Sequence, residues 1–369
     1  MNRVGQGAAA ILPIGIAVAT CMLLFALAGY DIISVILGVT EGALTGFGSF
    51  QQTLRWAMPL LLIALGFLFC LRAGEFNIGG QGQMMMGGLG SVAVALLFPG
   101  PVWIAMPTAL LAGMLCGLIW SGFAGFLKVR YHADEVIVTL MLNFIAVLLV
   151  SWVTTGPLKD PAVRGETAST PKIDSALRLG GSDGISPTLL ILVGLAILAA
   201  WVIAERSRMG VQLRYVGKAP QAARWQGMAV RRLKFQAYLL AGTFAGLAGA
   251  FEVLGPNGRL VTGATPTIGF TAIVVTIVGL SRVPGIVIAA IFFGGLQAAI
   301  LFLPIVSDLP SSGIKILEGM VDGIYVIRTS LGAEAMGTEA AVDAYKSLAG
   351  VERAFRNAKT DPPIRRVRF

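Results

Sequence analysis

The sequence predicts an all-α, polytopic membrane protein, from its composition, the lengths of its apolar runs and the charges of its loops. Of its 369 residues, 56% are hydrophobic and 13% are charged, and the mean hydropathy is +0.80. Soluble domains carry about 25% charged residues, so this chain has too little polar surface to cover a globule in water. Its 47 glycines fit the same class, because helices in lipid associate through close contacts between small residues.

Apolar runs long enough to cross a bilayer recur along most of the chain. A helix needs about 20 apolar residues to span the membrane, and fewer when it is broken or tilted. The first run is interpreted as an uncleaved helix rather than a signal peptide, because its apolar core is long and many runs follow it. About ten transmembrane helices are predicted, at residues 9–29, 54–71, 83–99, 102–127, 136–154, 187–204, 235–254, 268–280, 284–304 and 314–328.

The loop charges predict the orientation of the chain. Segment 205–234 carries eight basic residues and one acidic residue, whereas segment 155–186 carries four of each. Basic loops stay in the cytoplasm, so the first segment is predicted inside and the second outside, with the N and C termini cytoplasmic. The net charge of +9 follows from this asymmetry, and no nucleic-acid partner is predicted. Residues 1–330 are predicted to form the transmembrane domain, and residues 331–369 a cytoplasmic polar tail.

A polar, glycine-rich stretch interrupts the apolar pattern at residues 72–83, between two unusually short apolar runs. Non-helical backbone at membrane depth is tolerated where it faces protein or a water-filled cavity, and transporters build solute sites from broken helices. Asn77 and Gln81 would share one face if a helix began near Asn77. Two interpretations stay open: these side chains line a cavity, or Asn77 caps a helix beside a tight glycine turn.

A second polar pair, Thr139 and Asn143, lies one turn apart on one face of the predicted fifth span. An amide inside a membrane helix is costly without a partner. Asn143 could therefore bond to a neighbouring helix and hold the bundle together, or it could contact a solute. Together with Asn77 and Gln81, this pair forms the predicted solute path.

The basic segment 205–234 contains a predicted short surface helix. Pro220 is a favoured first residue of a helix, and Gly227 a favoured stop. Connecting two spans does not require a loop this long and this charged. The alternative interpretation is an ordinary loop that only determines topology.

Three motifs carry a resemblance to a known family. The stretch Gly74–Gln83 is similar to Phe-Asn-Ile-Gly-x-Glu-Gly-Gln with Gln81 in place of Glu, and Glu135–Asn143 is similar to Glu-Val-Ile-x-Thr-Leu-Met-Leu-Asn. Gln221–Gly227 has the spacing of Glu-Ala-Ala-x-x-x-Gly, with Gln for the first Glu. Over residues 50–330 the chain thus resembles the membrane permeases of ATP-binding-cassette (ABC) importers. It is most similar to the nucleoside and simple-sugar branch of the ribose and branched-chain amino-acid permease family.

The resemblance implies the ABC importer permease fold in the bacterial cytoplasmic (inner) membrane, moving a neutral polar solute such as a nucleoside or simple sugar. It implies cytoplasmic ABC ATPase subunits, an extracytoplasmic solute-binding protein and a second permease subunit, with a heterodimer favoured over a homodimer. ATP hydrolysis would then lie on a separate chain. By the same resemblance, the loop that couples to the ATPase contains Gln221, Ala222, Ala223 and Gly227.

Two other classes of function compete with this interpretation. An ion-coupled secondary transporter could use Glu318 and Asp322, which lie one turn apart in the last predicted span. A membrane enzyme is disfavoured, because the chain offers no nucleophile–base pair. Neither its single histidine nor its three cysteines have the spacing of metal ligands, so no metal or cofactor is predicted.

Overall fold

The computed structural model describes residues 18–306, apart from 21, 24, 28–29, 47, 99, 162–167, 180–184 and 262–267. Within these residues the chain is helical, with one isolated antiparallel bridge between Ser169 and Val261. The predicted all-α class is confirmed. The last predicted span, the acidic pair Glu318 and Asp322, and the tail 331–369 lie outside the described residues.

The helices follow the predicted runs, with two additions. The short helix α2 has no counterpart among the predicted spans, and the basic segment contains a second helix, α8, ahead of the predicted surface helix α9. The helices are α1 (Val18–Leu27), α2 (Ile32–Thr40), α3 (Ser49–Arg72), α4 (Gly80–Leu97), α5 (Val102–Tyr131), α6 (Glu135–Thr155), α7 (Pro187–Trp201), α8 (Arg208–Lys218), α9 (Pro220–Trp225), α10 (Val230–Glu252), α11 (Ile268–Val278) and α12 (Val283–Val306).

Within the part of the chain that the structure describes, six helices are long and apolar enough to cross a membrane: α3, α5, α6, α7, α10 and α12. The chain is therefore a multi-pass membrane protein, while the number of about ten crossings stays a prediction. Helices α7 and α10 are lengthened by π-helical turns, Val202–Arg206 and Val253–Asn257. Such wide turns leave backbone carbonyls free to bond elsewhere and are frequent at functional sites.

Glycine contacts hold α4, α5 and α10 together. A Cβ added at Gly249 of α10 would overlap the carbonyl oxygen of Met84 in α4, and one at Gly117 of α5 would overlap that of Gly242 in α10. These helices therefore approach backbone to backbone, the geometry that small residues permit in membranes. The α3 helix is more enclosed by the other helices than α5 is. In an apolar stretch of 18 residues, 78% of α3 is buried, compared with 22% of α5.

The break between α3 and α4 turns the chain back toward the middle of the bundle. Gly74 begins the return with φ +74°, in the left-handed region. A Cβ added at Gly80 would lie 2.6 Å from Cγ2 of Ile63, nine residues before the end of α3. At 1.5 Å per residue, α4 thus begins about 13 Å inside the end of α3.

The structure does not meet the condition under which Asn77 and Gln81 would share one face. The helix begins at Gly80, three residues after Asn77, so Asn77 and Gln81 do not share a helical face.

Candidate functional site

The polar pair of α6 binds the backbone of the break. The Asn143 amide donates to the carbonyl of Ile78 at 3.0 Å and accepts from the N–H of Gly82 at 2.8 Å. The Thr139 hydroxyl accepts from the N–H of Ile78 at 3.2 Å and donates to its own helix at Glu135. The first N–H groups of a helix have no partner within it, and Asn143 satisfies one of them for α4.

The side chains of Asn77 and Gln81 lie in the same polar layer. We call the four side chains of Asn77, Gln81, Thr139 and Asn143 the amide layer. Asn77 Oδ1 accepts from the N–H of Gly79 at 2.9 Å and from the Gln83 amide at 3.0 Å. Gln81 Oε1 accepts from the N–H of Gly269 at 2.9 Å, which places the start of α4 beside α11. All four side chains are at most 5% exposed. The structure therefore brings the four predicted residues together, and the bonds of Asn143 and Gln81 agree with the helix-linking interpretation.

Beside the amide layer lies a buried carboxylate that the sequence analysis did not select. The Glu75 side chain is 1% exposed and forms an ion pair with Lys234 of α10. Lys128 of α5 lies 3.9 Å away and pairs with Glu135 as well, and the Tyr238 hydroxyl lies 3.5 Å from Glu75. The available signal was a carboxylate inside the glycine-rich stretch with lysines near the ends of predicted spans.

Arg72, at the end of α3, links three other elements. It donates to the carbonyl of Ala204 at 2.7 Å and to that of Ser281 at 3.0 Å, and it pairs with Glu205. Arg214 of α8 pairs with the same carboxylate at 3.1 Å. The end of α3 is thereby joined to α7, to α8 and to the turn between α11 and α12.

The break also rests directly on α8. A Cβ on Gly217 of α8 would overlap the carbonyl oxygen of Arg72, and one on Gly74 would lie 3.1 Å from Cα of Gly217. Because α8 leads into α9 through Ala219, α9 is connected to the break through this backbone contact.

The predicted surface helix is confirmed as α9, which begins at Pro220 and is followed by Gly227 with φ +77°. Its residues divide into two groups. Ala223 is 3% exposed and faces the interior of its own chain, whereas Trp225 is 87% exposed. Gln221, Ala222 and Gly227 are also exposed. Sequence reasoning missed Trp225, although a tryptophan in a basic loop is a recognisable signal for an interface.

On the far side of the bundle, residues 168–179 cover the end of α10. The N–H of Thr170 donates to Leu260 and that of Ile173 to Gly258, at 3.0 and 2.8 Å. This cover lies in the segment that the loop charges place outside. Among the described residues no three His, Cys, Asp or Glu side chains are grouped to hold a metal ion.

Comparison with known proteins gives one family and several relatives. A family model described as "Branched-chain amino acid transport system / permease component" matches residues 49–327. Guanosine ABC transporter permease protein NupP of Bacillus subtilis (strain 168) is 33% identical, over 84% of this chain and 91% of its own length. NupQ of the same strain, also a guanosine ABC transporter permease protein, is 28% identical over 70% and 84%. Glucose ABC transporter permease protein TsgB13 of Haloferax volcanii is 30% identical over 74% and 75%.

Proposed function

Because the chain belongs to the family of branched-chain amino acid transport system permease components, we propose that it forms the membrane path for a nucleoside or a simple sugar. The chain is a permease subunit of an ABC transporter and not an enzyme, as its motifs had indicated. The choice of solute is supported by relatives named for guanosine and for glucose. It is also supported by the amide layer, because amides offer donors and acceptors without fixed charge.

The observation that carries this proposal is the start of α4 at Gly80, about 13 Å inside the end of α3, where the Gln81 side chain bonds to Gly269 of α11. Broken helices that meet inside the bundle are the common way to build a solute path. The test is uptake of radiolabelled guanosine and glucose by cells that express the chain with its ATPase, second permease and binding protein. Uptake is expected to stop when the ATPase active site is inactivated and to persist with a protonophore. The reverse pattern would identify an ion-coupled carrier.

The proposed orientation keeps α8 and α9 in the cytoplasm and residues 168–179 outside, in a bacterial inner membrane. Its support is the charge balance of segments 205–234 and 155–186. Single cysteines at the exposed residues Gln226 and Ser175 are to be compared in a background without the native cysteines. An impermeant maleimide is expected to label only Ser175→Cys in intact cells, and labelling of only Gln226→Cys would reverse the orientation.

The proposed assembly contains two ATPase subunits, a solute-binding protein and a second, different permease. NupP and NupQ support a heterodimer, because one strain has two guanosine permease proteins that both resemble this chain. Co-expression of differently tagged copies with the second permease tests this. Each tagged copy is expected to co-purify the second permease without the other copy, and co-purification of both copies would indicate a homodimer.

The proposed ATPase contact is the exposed face of α9, with Trp225 as its anchor. Exposed tryptophans are frequent hot spots of interfaces, and truncating one costs about 2 kcal/mol or more. Trp225→Ala is therefore expected to lower uptake and solute-stimulated ATPase activity by about tenfold or more at normal abundance in the membrane. The matched control is Trp103→Ala, since Trp103 is 76% exposed but begins α5, at the end opposite Lys128. Equal effects of the two variants would refute this contact.

The amide layer is the proposed solute path, and Asn143 gives its test. Asn143→Ala leaves the carbonyl of Ile78 and the N–H of Gly82 unpaired. Interhelical hydrogen bonds in membranes contribute about 0.6 kcal/mol on average, so most of the variant is expected to fold. Maximal uptake per folded molecule is expected to fall, measured as initial rate divided by the monodisperse protein recovered. An unchanged ratio would leave Asn143 with a packing role alone.

A further inference from the structure

The first turns of α3 carry a polar face that the proposed function does not yet use. Arg55 and Trp56 follow Gln52 by three and four residues, so each lies next to Gln52 on the helix surface. They sit at the end of α3 opposite Arg72, which contacts the basic segment. In the proposed orientation this face lies toward the outside, where a solute arrives.

A chain of hydrogen bonds fixes this face against α10. Arg55 donates to Asn257 Oδ1 at 3.2 Å, and the Asn257 amide donates to Glu252 at 3.0 Å. The Arg55 guanidinium also lies 5.8 Å from the centre of the Trp56 ring. Asn257 is the last residue of the π-helical turn of α10, so its hydrogen bond with Arg55 joins this turn to the polar face of α3.

At this end of α3, three buried polar atoms have no hydrogen-bond partner among the described residues: the Ser49 hydroxyl, Gln52 Oε1 and the Trp56 indole nitrogen. Of these three, Gln52 Oε1 is an acceptor and the Trp56 indole N–H is a donor. Buried polar atoms are bonded in the great majority of cases, because an unpaired one loses its hydration without compensation. An unpaired acceptor one turn from an unpaired donor, on one face, is the arrangement expected of a site whose ligand supplies both bonds.

We propose that Gln52 and Trp56 form the outer contact site for the transported solute, with the Arg55–Asn257–Glu252 chain positioning them. The ligand is a neutral molecule that donates to Gln52 and accepts from Trp56, beside an aromatic ring. A nucleoside meets these conditions through its base edge and ribose hydroxyls, and its planar base suits an aromatic neighbour. This inference rests on the proposed function, and it selects nucleosides over simple sugars.

The test uses apolar replacements, because these separate binding from packing. Removing an unpaired buried polar atom does not weaken the fold and can strengthen it. Gln52→Leu is therefore expected to keep normal abundance and thermal stability, whereas Trp56→Phe also loses ring volume packed against the core, a loss that Trp120→Phe shares. Uptake of guanosine at subsaturating concentration is expected to fall about three- to tenfold in each variant, the effect of losing one neutral hydrogen bond. Trp120→Phe is the matched control, since Trp120 also has a buried, unpaired indole N–H, but on α5.

The outcomes separate this inference from the proposed function. If the intact transporter takes up guanosine and both variants match the wild type, the outer site is refuted and the proposed function stands. If the intact transporter carries glucose but no nucleoside, the assignment to nucleosides is refuted. If it carries neither under ATP, the proposed function and this inference fail together. An equal loss in Trp120→Phe would also refute the site, since the effect would then be general to the fold.

Discussion

Replacing Gly249 with alanine is expected to destabilise the protein strongly, because the added methyl group has no space. The added Cβ would overlap the carbonyl oxygen of Met84 and come within 2.6 Å of the Gly88 nitrogen. Both atoms belong to the backbone of α4, so no side chain can rotate away. Overpacking costs about 1–3 kcal/mol when neighbours can adjust, and occasionally more. A backbone contact belongs at the upper end of that range, and α4 and α10 would have to separate.

The control is Gly194→Ala on α7, where an added Cβ meets no atom within 4 Å. Alanine is favoured over glycine in a helix by about 1 kcal/mol, so this variant is expected to be neutral or slightly more stable. Thermal unfolding of both variants in detergent, followed by size-exclusion chromatography, makes the comparison. Equal melting temperatures would mean that α4 and α10 do not depend on this close approach.

Replacing Glu75 with glutamine is the second large effect expected, because it leaves a lysine without its counter-charge. Lys234 pairs with Glu75, whose side chain is 1% exposed, whereas Lys128 keeps its second partner Glu135. Removing one partner of a buried ion pair costs about 3–5 kcal/mol, mostly through the uncompensated charge that remains. The Lys234 side chain is 25% exposed, so the loss is expected at or below the lower end of that range. Adding Lys234→Met removes that charge, so the double variant is expected to regain most of the lost stability.

A double-mutant cycle of thermal stability checks this expectation. Glu135→Gln serves as the comparison, since the Glu135 and Lys128 side chains are 20% and 25% exposed and such pairs contribute about 1 kcal/mol or less. Additive effects of Glu75→Gln and Lys234→Met would show that the two charges are not coupled.

The sequence was a good guide wherever the local pattern determines the structure. Helix α6 was predicted at 136–154 and runs from Glu135 to Thr155, because its apolar run is unbroken and Asp134 caps its start. The short helix α9 was predicted from Pro220 and Gly227, residues whose backbone preferences act locally. Both cases depend on neighbours in sequence.

Prediction was poorer where distant segments meet. Lys234 follows Glu75 by 159 residues, so no local pattern joins this pair. The start of α4 at Gly80 lies between the predicted span at 83–99 and the alternative in which Asn77 caps the helix. In the structure the Asn77 side-chain oxygen accepts from Gly79 and Gln83 instead. On α9, sequence alone does not tell which of Ala223 and Trp225 faces the interior, because packing against the rest of the chain decides it.

The glycine contacts between α4 and α10 also have a consequence for biosynthesis. Helix α4 is the first of this pair to leave the ribosome, and α10 begins about 130 residues later. At about 5–20 residues per second, α4 waits on the order of ten seconds for the backbone surface it will contact. During that time its polar first turn, with Gln81 and Gln83, lacks α10 and α11 as cover. An insertase or chaperone that shields α4 would therefore raise the yield of the whole transporter, and chains truncated before α10 would be early substrates for membrane proteases.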